Sequence, residues 1–233
     1  MNDKLVCEFC QNIFDTPELR NRTRIFRGRK HAGTKLSEML KEYSDSDAIV
    51  FGIPAGGVPV AAPVARNLKL KLDVAVVSKI TLPWNTEVGY GAIAFNKTIE
   101  LNEDIISRMG VTQEDIEADI DKAYQKVKKR FKMFRGEKPF PDISNRPVIL
   151  VDDGVASGYT MLVAVEALKK MGAGSMVIAV PTAHLQSLER ISSEVDRVYC
   201  PNIRGGGAFA VADAYKNWFD VEEKEVVNIL KDF

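Results

Sequence analysis

The stretch 148-VILVDDGVASGYTM-161 carries the strongest signal for the fold. Four apolar residues, typical of a buried strand, lead directly to two adjacent acids, Asp152 and Asp153, and a loop of small residues then leads into a helical apolar pattern. Two carboxylates about 6 Å apart repel each other by about 0.7–3 kcal/mol, depending on the effective dielectric constant. Because a strand can end without two adjacent carboxylates and their repulsion, the pair indicates a binding role.

The loop after the acids, residues 154–158, is suited to an anion. Gly154 and Gly158 permit unusual backbone angles, and Ser157 and Thr160 offer hydroxyl groups. Free amides at the start of a helix, together with the helix dipole, also favour an anion. A ligand with adjacent hydroxyl groups and a phosphate a few ångströms away would bind both the acids and the loop, and a 5-phosphorylated ribose has this layout.

Other phosphate and metal motifs fit this stretch less well. A nucleotide P-loop needs G-x-x-x-x-G-K-[ST], and the loop contains no lysine. A receiver domain needs a further aspartate at a later strand end, where this chain has Val-Pro and Cys-Pro pairs. A calcium loop needs oxygen ligands at alternate positions, which Val155 interrupts. The structural alternative is a capped helix that happens to follow an acidic pair.

Strands and helices alternate along the chain, which predicts an α/β fold with a Rossmann-like parallel sheet and helices on both faces. Ligands of such sheets bind outside the carboxyl ends of the strands, where the acidic pair is placed. Residues 81–102 are predicted as a long loop that passes into a β-hairpin. The predicted strands are 47–54, 72–80, 148–151, 175–181 and 197–201, and the predicted helices are 31–43, 56–70, 112–136 and 159–171.

We expect a single domain over residues 1–233. Its core covers about residues 31–200, and the segments at about 1–30 and 201–233 form a small hood, because the tail breaks the alternation of strands and helices. The helix at 112–136 is capped by Thr112, with acids in its first half and bases in its last turns, which complements the helix dipole. We interpret its basic end, Lys126 to Arg135, as a solvated face rather than a nucleic-acid patch.

Composition narrows the functional classes. The 233 residues are 45% hydrophobic, and 32 Lys and Arg balance 32 Asp and Glu. Zero net charge argues against a protein that grips a nucleic-acid backbone, although it permits a local basic pocket for a phosphorylated ligand. With His31 and His184 as the only histidines, a His-centred triad or a multi-His metal site is disfavoured.

The cysteines and the first residues bear on location. Cys7, Cys10 and Cys200 are an odd, sparse set that fits a reducing compartment. The spacing of Cys7 and Cys10 suits a metal or redox site, but no second pair or nearby histidine completes one, so plain thiols are the preferred interpretation. Neither a signal-peptide core nor a run of membrane length is found, which predicts a cytoplasmic protein without membrane contact.

Several motifs in series resemble the type I phosphoribosyltransferases. Val148 to Thr160 resembles their phosphoribosyl pyrophosphate signature without gaps, and 53-IPAGGVPVA-61 resembles their pyrophosphate loop. Lys79 matches a basic residue used on the diphosphate, and residues 81–95 take the place of their mobile loop. With RKHAG, GGVPVA and NTEVGYGAIA, the likeness extends over about residues 25–220 and is similar to a poorly characterised group of predicted phosphoribosyltransferases.

The resemblance implies a Mg²⁺-dependent transfer of 5-phosphoribose from phosphoribosyl pyrophosphate to a nitrogen of a nucleobase or related small acceptor. It implies that Asp152 and Asp153 hold the ribose 2- and 3-hydroxyl groups, partly through Mg²⁺, and that closure of residues 81–91 excludes water. A homodimer without nucleic-acid partners is expected. The residues assigned to the phosphate groups of the substrate are Ala55, Gly56, Gly57, Lys79, Gly154, Val155, Ala156, Ser157, Gly158 and Thr160.

The acceptor stays open. Ala156 stands where hypoxanthine-guanine members have an aspartate that handles the proton of the base, and adenine members also have alanine there, with a catalytic glutamate on the mobile loop. Glu87 is therefore the candidate base, with a solvated loop residue as its alternative. Phe209, Tyr215 and Trp218 are loosely similar to the purine-stacking segment of 6-oxopurine members, with core packing as the alternative.

Two functional classes are compatible with these motifs. The first is the transferase, and the second is a regulator that binds phosphoribosyl pyrophosphate without catalysis. No helix-turn-helix pattern is found and the net charge is zero, so the transferase is preferred. A phosphorolytic or hydrolytic activity on a ribose phosphate is a third possibility.

Overall fold

The computed structural model describes residues 11–82 and 84–233, with the side chains of residues 86–88 outside the description. Strands and helices are numbered in chain order. The strands are β1 (Ile13–Phe14), β2 (Ile49–Gly52), β3 (Lys71–Val74), β4 (Val77–Leu82), β5 (Asn85–Ala94), β6 (Ile99–Leu101), β7 (Pro147–Val151), β8 (Ser175–Ala179), β9 (Thr182–His184), β10 (Arg197–Tyr199) and β11 (Asn202–Arg204). The helices are α1 (Arg29–Met39), α2 (Val58–Leu68), α3 (Glu103–Met109), α4 (Gln113–Arg135), α5 (Tyr159–Lys170), α6 (Leu185–Ser192) and α7 (Glu223–Leu230).

The central sheet has six parallel strands in the order β1-β10-β8-β7-β2-β3. Alternate residues of each strand point to opposite faces: Ile149 belongs to the core cluster that includes residues of α1, α2, α4 and α7, whereas its neighbour Leu150 belongs to the cluster that includes residues of α5 and α6. Burial on both faces explains why these strands are continuous apolar runs in the sequence. The predicted α/β fold, a parallel sheet with helices on both faces, is confirmed.

A separate antiparallel sheet of β4, β5 and β6 lies beside the central one. The single strand predicted at 72–80 was therefore wrong, because this stretch contains β3 of the central sheet and β4 of the small sheet. The chain leaves the central sheet at Ala75 and Val76, which are buried and carry no turn signal. The loop predicted from residue 81 is also mostly strand, since β5 covers residues 85–94, and the expected hairpin is formed by β5 and β6.

Capping residues set the start of α3 and α4. Asn102 Oδ1 accepts a hydrogen bond from the Ile105 amide at 3.1 Å and begins α3, a helix that the sequence analysis did not predict. Thr112 and Asp115 form a capping box at the start of α4, which confirms Thr112 as the cap. From this start α4 packs along β4 and β5 and reaches α7.

Segments near both ends of the described chain meet in a small cluster. Phe26 pairs with Tyr215 in a parallel bridge, and the two rings pack with Ala32 and Ala214. Other parts of the segments expected in the hood lie elsewhere: β1 is an edge strand of the central sheet, and α7 packs on α2 and α4. β9 and β11 form a two-stranded parallel pair next to this cluster's short 3₁₀ turn at 211–214.

Cys7 and Cys10 lie outside the described residues, whereas Cys200 is a free, buried thiol whose pKa is raised by burial. Across residues 11–82 and 84–233, no helix combines the length and the apolar character needed to cross a bilayer.

Candidate active site

The two loops singled out in the sequence lie side by side because their strands, β2 and β7, are neighbours in the sheet. The Ile53 amide donates to the Val151 carbonyl at 2.8 Å and continues this pairing past the strand ends. A Cβ atom on Gly57 would lie 2.6 Å from both the Ile53 and the Val151 carbonyl oxygens, so only glycine permits this approach. The sequence predicted both loops, and the sheet brings them together.

Asp153 is held by an arginine that the sequence analysis did not assign. Arg29 Nε donates to Asp153 Oδ2 at 2.8 Å, and the two side chains are only 7% and 16% exposed. Arg29 also donates through Nη1 to the Phe219 carbonyl at 2.7 Å, and its guanidinium carbon lies 3.9 Å from the centre of the Trp218 ring. The arginine therefore connects the acidic pair to the chain segment that follows Tyr215.

Arg29 lies in the first turn of α1, and α1 packs closely against α2. A Cβ atom on Gly33 would lie 2.2 Å from the Val60 carbonyl, which shows how tightly α1 contacts α2. Arg29 belongs to the RKHAG motif that supported the family resemblance. That motif was the available signal for Arg29, but nothing in its residue types indicated an ion pair with Asp153.

Asp152 lies half-buried at the edge of a cavity. Its Oδ1 atom accepts a hydrogen bond from the Asp153 amide at 2.8 Å, and the two neighbouring carboxyl groups also interact with each other. Burial, followed by the charge of Asp153, raises the pKa of Asp152 well above its usual range. Burial also raises the pKa of Asp153, although Arg29 opposes that change. Asp152 is therefore the carboxyl that would gain most from hydroxyl donors or a cation.

In the loop at 154–158, one of the amides assigned to the phosphate is already hydrogen-bonded and three have no described acceptor. The Val155 amide donates to the Thr182 carbonyl at 3.0 Å, so its expected role as a phosphate donor was wrong. Within the described part of the chain, no acceptor is found for the amides of Ala156, Ser157 and Gly158. Gly158 has φ +84°, a conformation that favours glycine, and the start of α5 follows it.

The hydroxyl groups assigned to the phosphate also have no hydrogen-bond partner in the described part of the chain. Ser157 and Thr160 hydroxyls have no hydrogen-bond partner among the residues described, and Ser157 is exposed. The outer side of the loop is fixed instead by main-chain acceptors: Ser187 donates to the Ala156 carbonyl, and Arg190 Nη1 donates to the Ser157 carbonyl at 3.2 Å. Ser187 and Arg190 thus hold the loop through two of its carbonyl groups, and the donors named above have no partner among the described residues.

The loop after β2 shows a similar division. The Gly57 amide donates to the Ile53 carbonyl at 2.9 Å, so it is not available to a diphosphate, contrary to expectation. The amides of Ala55 and Gly56 have no acceptor in residues 11–82 and 84–233. These two amides therefore remain as candidate donors.

We expect Gly56→Ala to lower the free energy of unfolding by about 1–3 kcal/mol, a typical cost of overpacking, or the melting temperature by roughly 3–10 °C. An added Cβ atom would lie 1.9 Å from Asp153 Oδ2, so the carboxylate held by Arg29 would have to move. Thermal unfolding checks this result. Gly207→Ala is the control, because nothing lies within 4 Å of its Cβ position, and equal melting temperatures of the two variants would contradict the tight contact.

A cavity of about 450 Å³ opens beside Asp152 between the strand ends, β4 and α4. Lys79, expected to contact the diphosphate, lines it with Thr160. The interpretation of the basic end of α4 as a solvated face was wrong in part: Lys126 and Arg130 line the cavity, and Arg135 is buried against Asp73 at 2.8 Å. The charge pattern of the helix could not show which side would face the sheet. The lining residues are Ile53, Pro54, Val77, Ser78, Lys79, Thr81, Asp119, Lys122, Ala123, Lys126, Arg130, Asp152 and Thr160.

The candidates for base recognition have mixed outcomes. The backbone of Glu87 lies in β5, but its side chain is outside the described part, so its role stays a prediction. Tyr215 is buried and donates its hydroxyl to the Asp153 carbonyl at 2.5 Å, while Trp218 covers Arg29. Phe209 contacts the edge of the His184 ring. Tyr215 thus contacts Asp153 directly and Trp218 contacts the arginine that holds it, while Trp218 stays 38% exposed.

The acidic pair fits a metal ion shared with a substrate. Among the described residues, no group of three or more His, Cys, Asp or Glu side chains could form a protein cage for a metal. Mg²⁺ commonly binds one or two carboxylates together with substrate phosphate oxygens, and does not need such a cage. Asp152, which lines the cavity, suits this kind of site better than Asp153, whose Oδ2 is held by Arg29.

Comparisons with known proteins agree on one family. The family described as "Phosphoribosyl transferase domain" matches residues 21–214. MT0597 and Rv0571c, from two strains of Mycobacterium tuberculosis, each bear the name "Putative phosphoribosyl transferase"; each is 32% identical over 210 residues, or 89% of this chain. The chain spans 46% of the length of these relatives. The crystal structure of TT1426 from Thermus thermophilus is similar over 89% of this chain and 98% of its own, with 32% identity and a TM-score of 0.73.

Proposed function

The chain belongs to the phosphoribosyl transferase domain family, and on that premise we propose that it transfers 5-phosphoribose from phosphoribosyl pyrophosphate to a nitrogen of a nucleobase or related small acceptor. One observation carries the proposal: the Asp152 carboxylate lines the cavity, and the amides of residues 156–158, which follow it closely in the sequence, have no acceptor among the described residues. Acceptors for sugar hydroxyl groups and donors for a phosphate therefore lie on one short segment.

The pieces of the donor substrate are assigned to different groups. Asp152 accepts hydrogen bonds from the ribose hydroxyl groups, and Asp153 offers them its Oδ1 atom, since Arg29 binds its Oδ2 atom. The free amides of residues 156–158 and the Thr160 hydroxyl hold the 5-phosphate, helped by the start of α5. The amides of Ala55 and Gly56 hold the diphosphate.

Catalysis follows from the charge that develops as diphosphate leaves. The C1–O bond breaks through an oxocarbenium-like transition state, and the nitrogen of the acceptor arrives from the other face of the ribose. Negative charge grows on the leaving group, so fixed amides and the Lys79 ammonium stabilise the transition state more than the substrate. The β4–β5 hairpin stands where the mobile loop was expected, and we propose that it keeps water, a competing nucleophile, away from C1.

Cofactor, assembly and location belong to the same proposal. Mg²⁺, when bound at Asp152, would supply positive charge for the diphosphate oxygens. A homodimer and a cytoplasmic location stay predictions, which gel filtration and cell fractionation would test.

We expect Glu87→Gln to slow turnover by about 10²-fold, in the range of a lost general base, with less than about threefold change in the Kd for phosphoribosyl pyrophosphate. Glutamine keeps the size of the side chain but cannot take a proton from the acceptor. Steady-state kinetics and calorimetry measure the two effects separately. Glu100→Gln, on β6 of the same small sheet, is the control, and unchanged turnover of Glu87→Gln would return Glu87 to a solvated role.

Diphosphate release in the presence of phosphoribosyl pyrophosphate, Mg²⁺ and a panel of purine and pyrimidine bases tests the proposed transfer. Release that depends on one class of base would support the transferase and identify the acceptor. Binding of the donor without release across the panel would favour the regulator instead. Absence of donor binding would reject both functions.

A further inference from the structure

A row of basic side chains on α4 faces the cavity beside Asp152. Lys122, Lys126 and Arg130 recur at intervals of four residues, so they share one face that is about 12 Å long. All three line the cavity, opposite the strand ends, and Lys79 of β4 lines it as well. Lys122, Lys126 and Arg130 together form the basic face of α4.

The charges of this face are poorly neutralised. Lys122 and Lys126 have no carboxylate within ion-pair distance among the described side chains, and the same holds for Lys79. Lys128 lies on the opposite face of the helix and does not line the cavity; its ammonium group lies 5.3 Å from the centre of the Tyr124 ring. A cavity wall with unpaired ammonium groups indicates an anionic ligand.

Arg130 adds a buried cation to the row. Its side chain is 14% exposed, and its Nε atom lies 3.1 Å from Glu223 Oε1 of α7. That contact is an ion pair without a well-directed hydrogen bond, and Nε has no hydrogen-bond partner in the described part of the chain. Glu223 of α7 thus holds the guanidinium group of Arg130 through an ion pair at Nε, and the same side chain lines the cavity.

The acids on the same cavity do not cancel these cations. Asp119 is buried, and one of its carboxylate oxygens accepts the Tyr90 hydroxyl at 2.9 Å. Asp152, the other acid, is assigned to the sugar and Mg²⁺. Two acids therefore face four cations, counting Lys79, and the excess suits a ligand with more than one negative charge.

The cavity extends from Pro54, next to the free amides of Ala55 and Gly56, to Thr160 at the start of α5. We propose that the basic face of α4 binds the diphosphate group of phosphoribosyl pyrophosphate, with Lys122 and Lys126 contacting its oxygens and Arg130 fixing the wall behind them. The inference rests on the proposed function, and it deepens it by assigning leaving-group stabilisation to a helix outside the motifs that resemble the family. Because α4 is packed on β4, β5 and α7, the backbone that carries these side chains is in place before the substrate binds.

Calorimetric titration with inorganic diphosphate, with and without Mg²⁺, tests the proposal without any turnover. We expect Lys122→Ala/Lys126→Ala to bind diphosphate about 100-fold more weakly than the wild type, tenfold or more for each charged hydrogen bond lost. Lys126→Arg keeps the charge and should bind within a few fold of the wild type. Lys128→Ala, the same change on the opposite face of α4, should bind as the wild type does.

The outcomes separate this proposal from the proposed function. Equal affinity of the wild type and Lys122→Ala/Lys126→Ala, an equal loss in Lys128→Ala, or no diphosphate binding by the wild type would each overturn the basic face as a diphosphate site. If the wild type also transferred phosphoribose in those cases, the proposed function would stand without it. Diphosphate binding that depends on Lys122 and Lys126, in a protein that shows no transfer, would support the site and reject the transferase. Melting temperatures confirm that the variants are folded.

Discussion

Asp152→Asn is expected to weaken binding of phosphoribosyl pyrophosphate by at least about 100-fold, because a carboxylate that accepts hydroxyl groups and meets Mg²⁺ becomes a neutral amide. The same substitution is expected to raise the melting temperature of the ligand-free protein by a few degrees, since about 1 kcal/mol corresponds to roughly 2–4 °C in a chain of this size. Loss of binding with a gain in stability is the behaviour of a residue kept for function.

The sign of the stability effect follows from the raised pKa of Asp152. Burial disfavours the ionised carboxylate in the folded protein, whereas the unfolded chain ionises it near its usual pKa of about 4. The wild type therefore loses stability as the pH rises from that value to the folded pKa, and asparagine avoids this loss. Asparagine Oδ1 can still accept the Asp153 amide, so the local structure is kept.

Calorimetry with phosphoribosyl pyrophosphate and thermal unfolding at several pH values measure the two effects. The gain in melting temperature should be largest near neutral pH and should vanish below about pH 4, where both proteins are uncharged at this position. Asp104→Asn, at an exposed position in α3, is the control for loss of one negative charge. Wild-type affinity in Asp152→Asn would remove this residue from the site.

Arg29→Ala is expected to lower the free energy of unfolding by about 3–5 kcal/mol, the typical cost of breaking a buried ion pair, which corresponds to a fall of roughly 6–20 °C in melting temperature. The change leaves Asp153 buried without its cation and the Phe219 carbonyl without its donor. Trp218 also loses the guanidinium beneath its ring. We expect donor binding to weaken as well, since Asp153 is no longer held in place.

A double-mutant cycle separates the ion pair from packing. Arg29→Ala/Asp153→Asn should recover part of the lost stability, because no unpaired charge is then buried. The destabilisation of Arg29→Ala should also shrink as the pH falls, and this change should begin above the usual aspartate pKa of about 4, because burial raises the pKa of Asp153 and loss of Arg29 raises it further. Additive effects of the two single changes would show that Arg29 and Asp153 do not interact.

The segment from β7 to α5 was predictable because its signals are local. An apolar run, two acids, a glycine-bounded loop and a helical pattern follow one another within 14 residues, and the structure arranges them in that order. The alternation of strands and helices predicts a parallel sheet, and in the structure β2 and β7 are neighbours in it, which brings the glycines at 56–57 to the acids. Here local chemistry and global topology agree.

The partners of this segment were not predictable, because they depend on packing between distant parts of the chain. Arg29 and Asp153 are 124 residues apart, and exposed arginines are common in any chain. The basic face of α4 has the same charge pattern whether it meets solvent or a cavity, and only its packing on β4 and β5 decides. The amides of Val155 and Gly57 looked free in the sequence, but each donates to a carbonyl.

A crystal structure of the protein with phosphoribosyl pyrophosphate and Mg²⁺ tests the central claim most directly. The account predicts ribose hydroxyl groups within hydrogen-bond distance, about 2.5–3.0 Å, of the Asp152 carboxylate, with the 5-phosphate on the amides of residues 156–158. A sugar bound away from Asp152, or a 5-phosphate that contacts none of these amides, would contradict it.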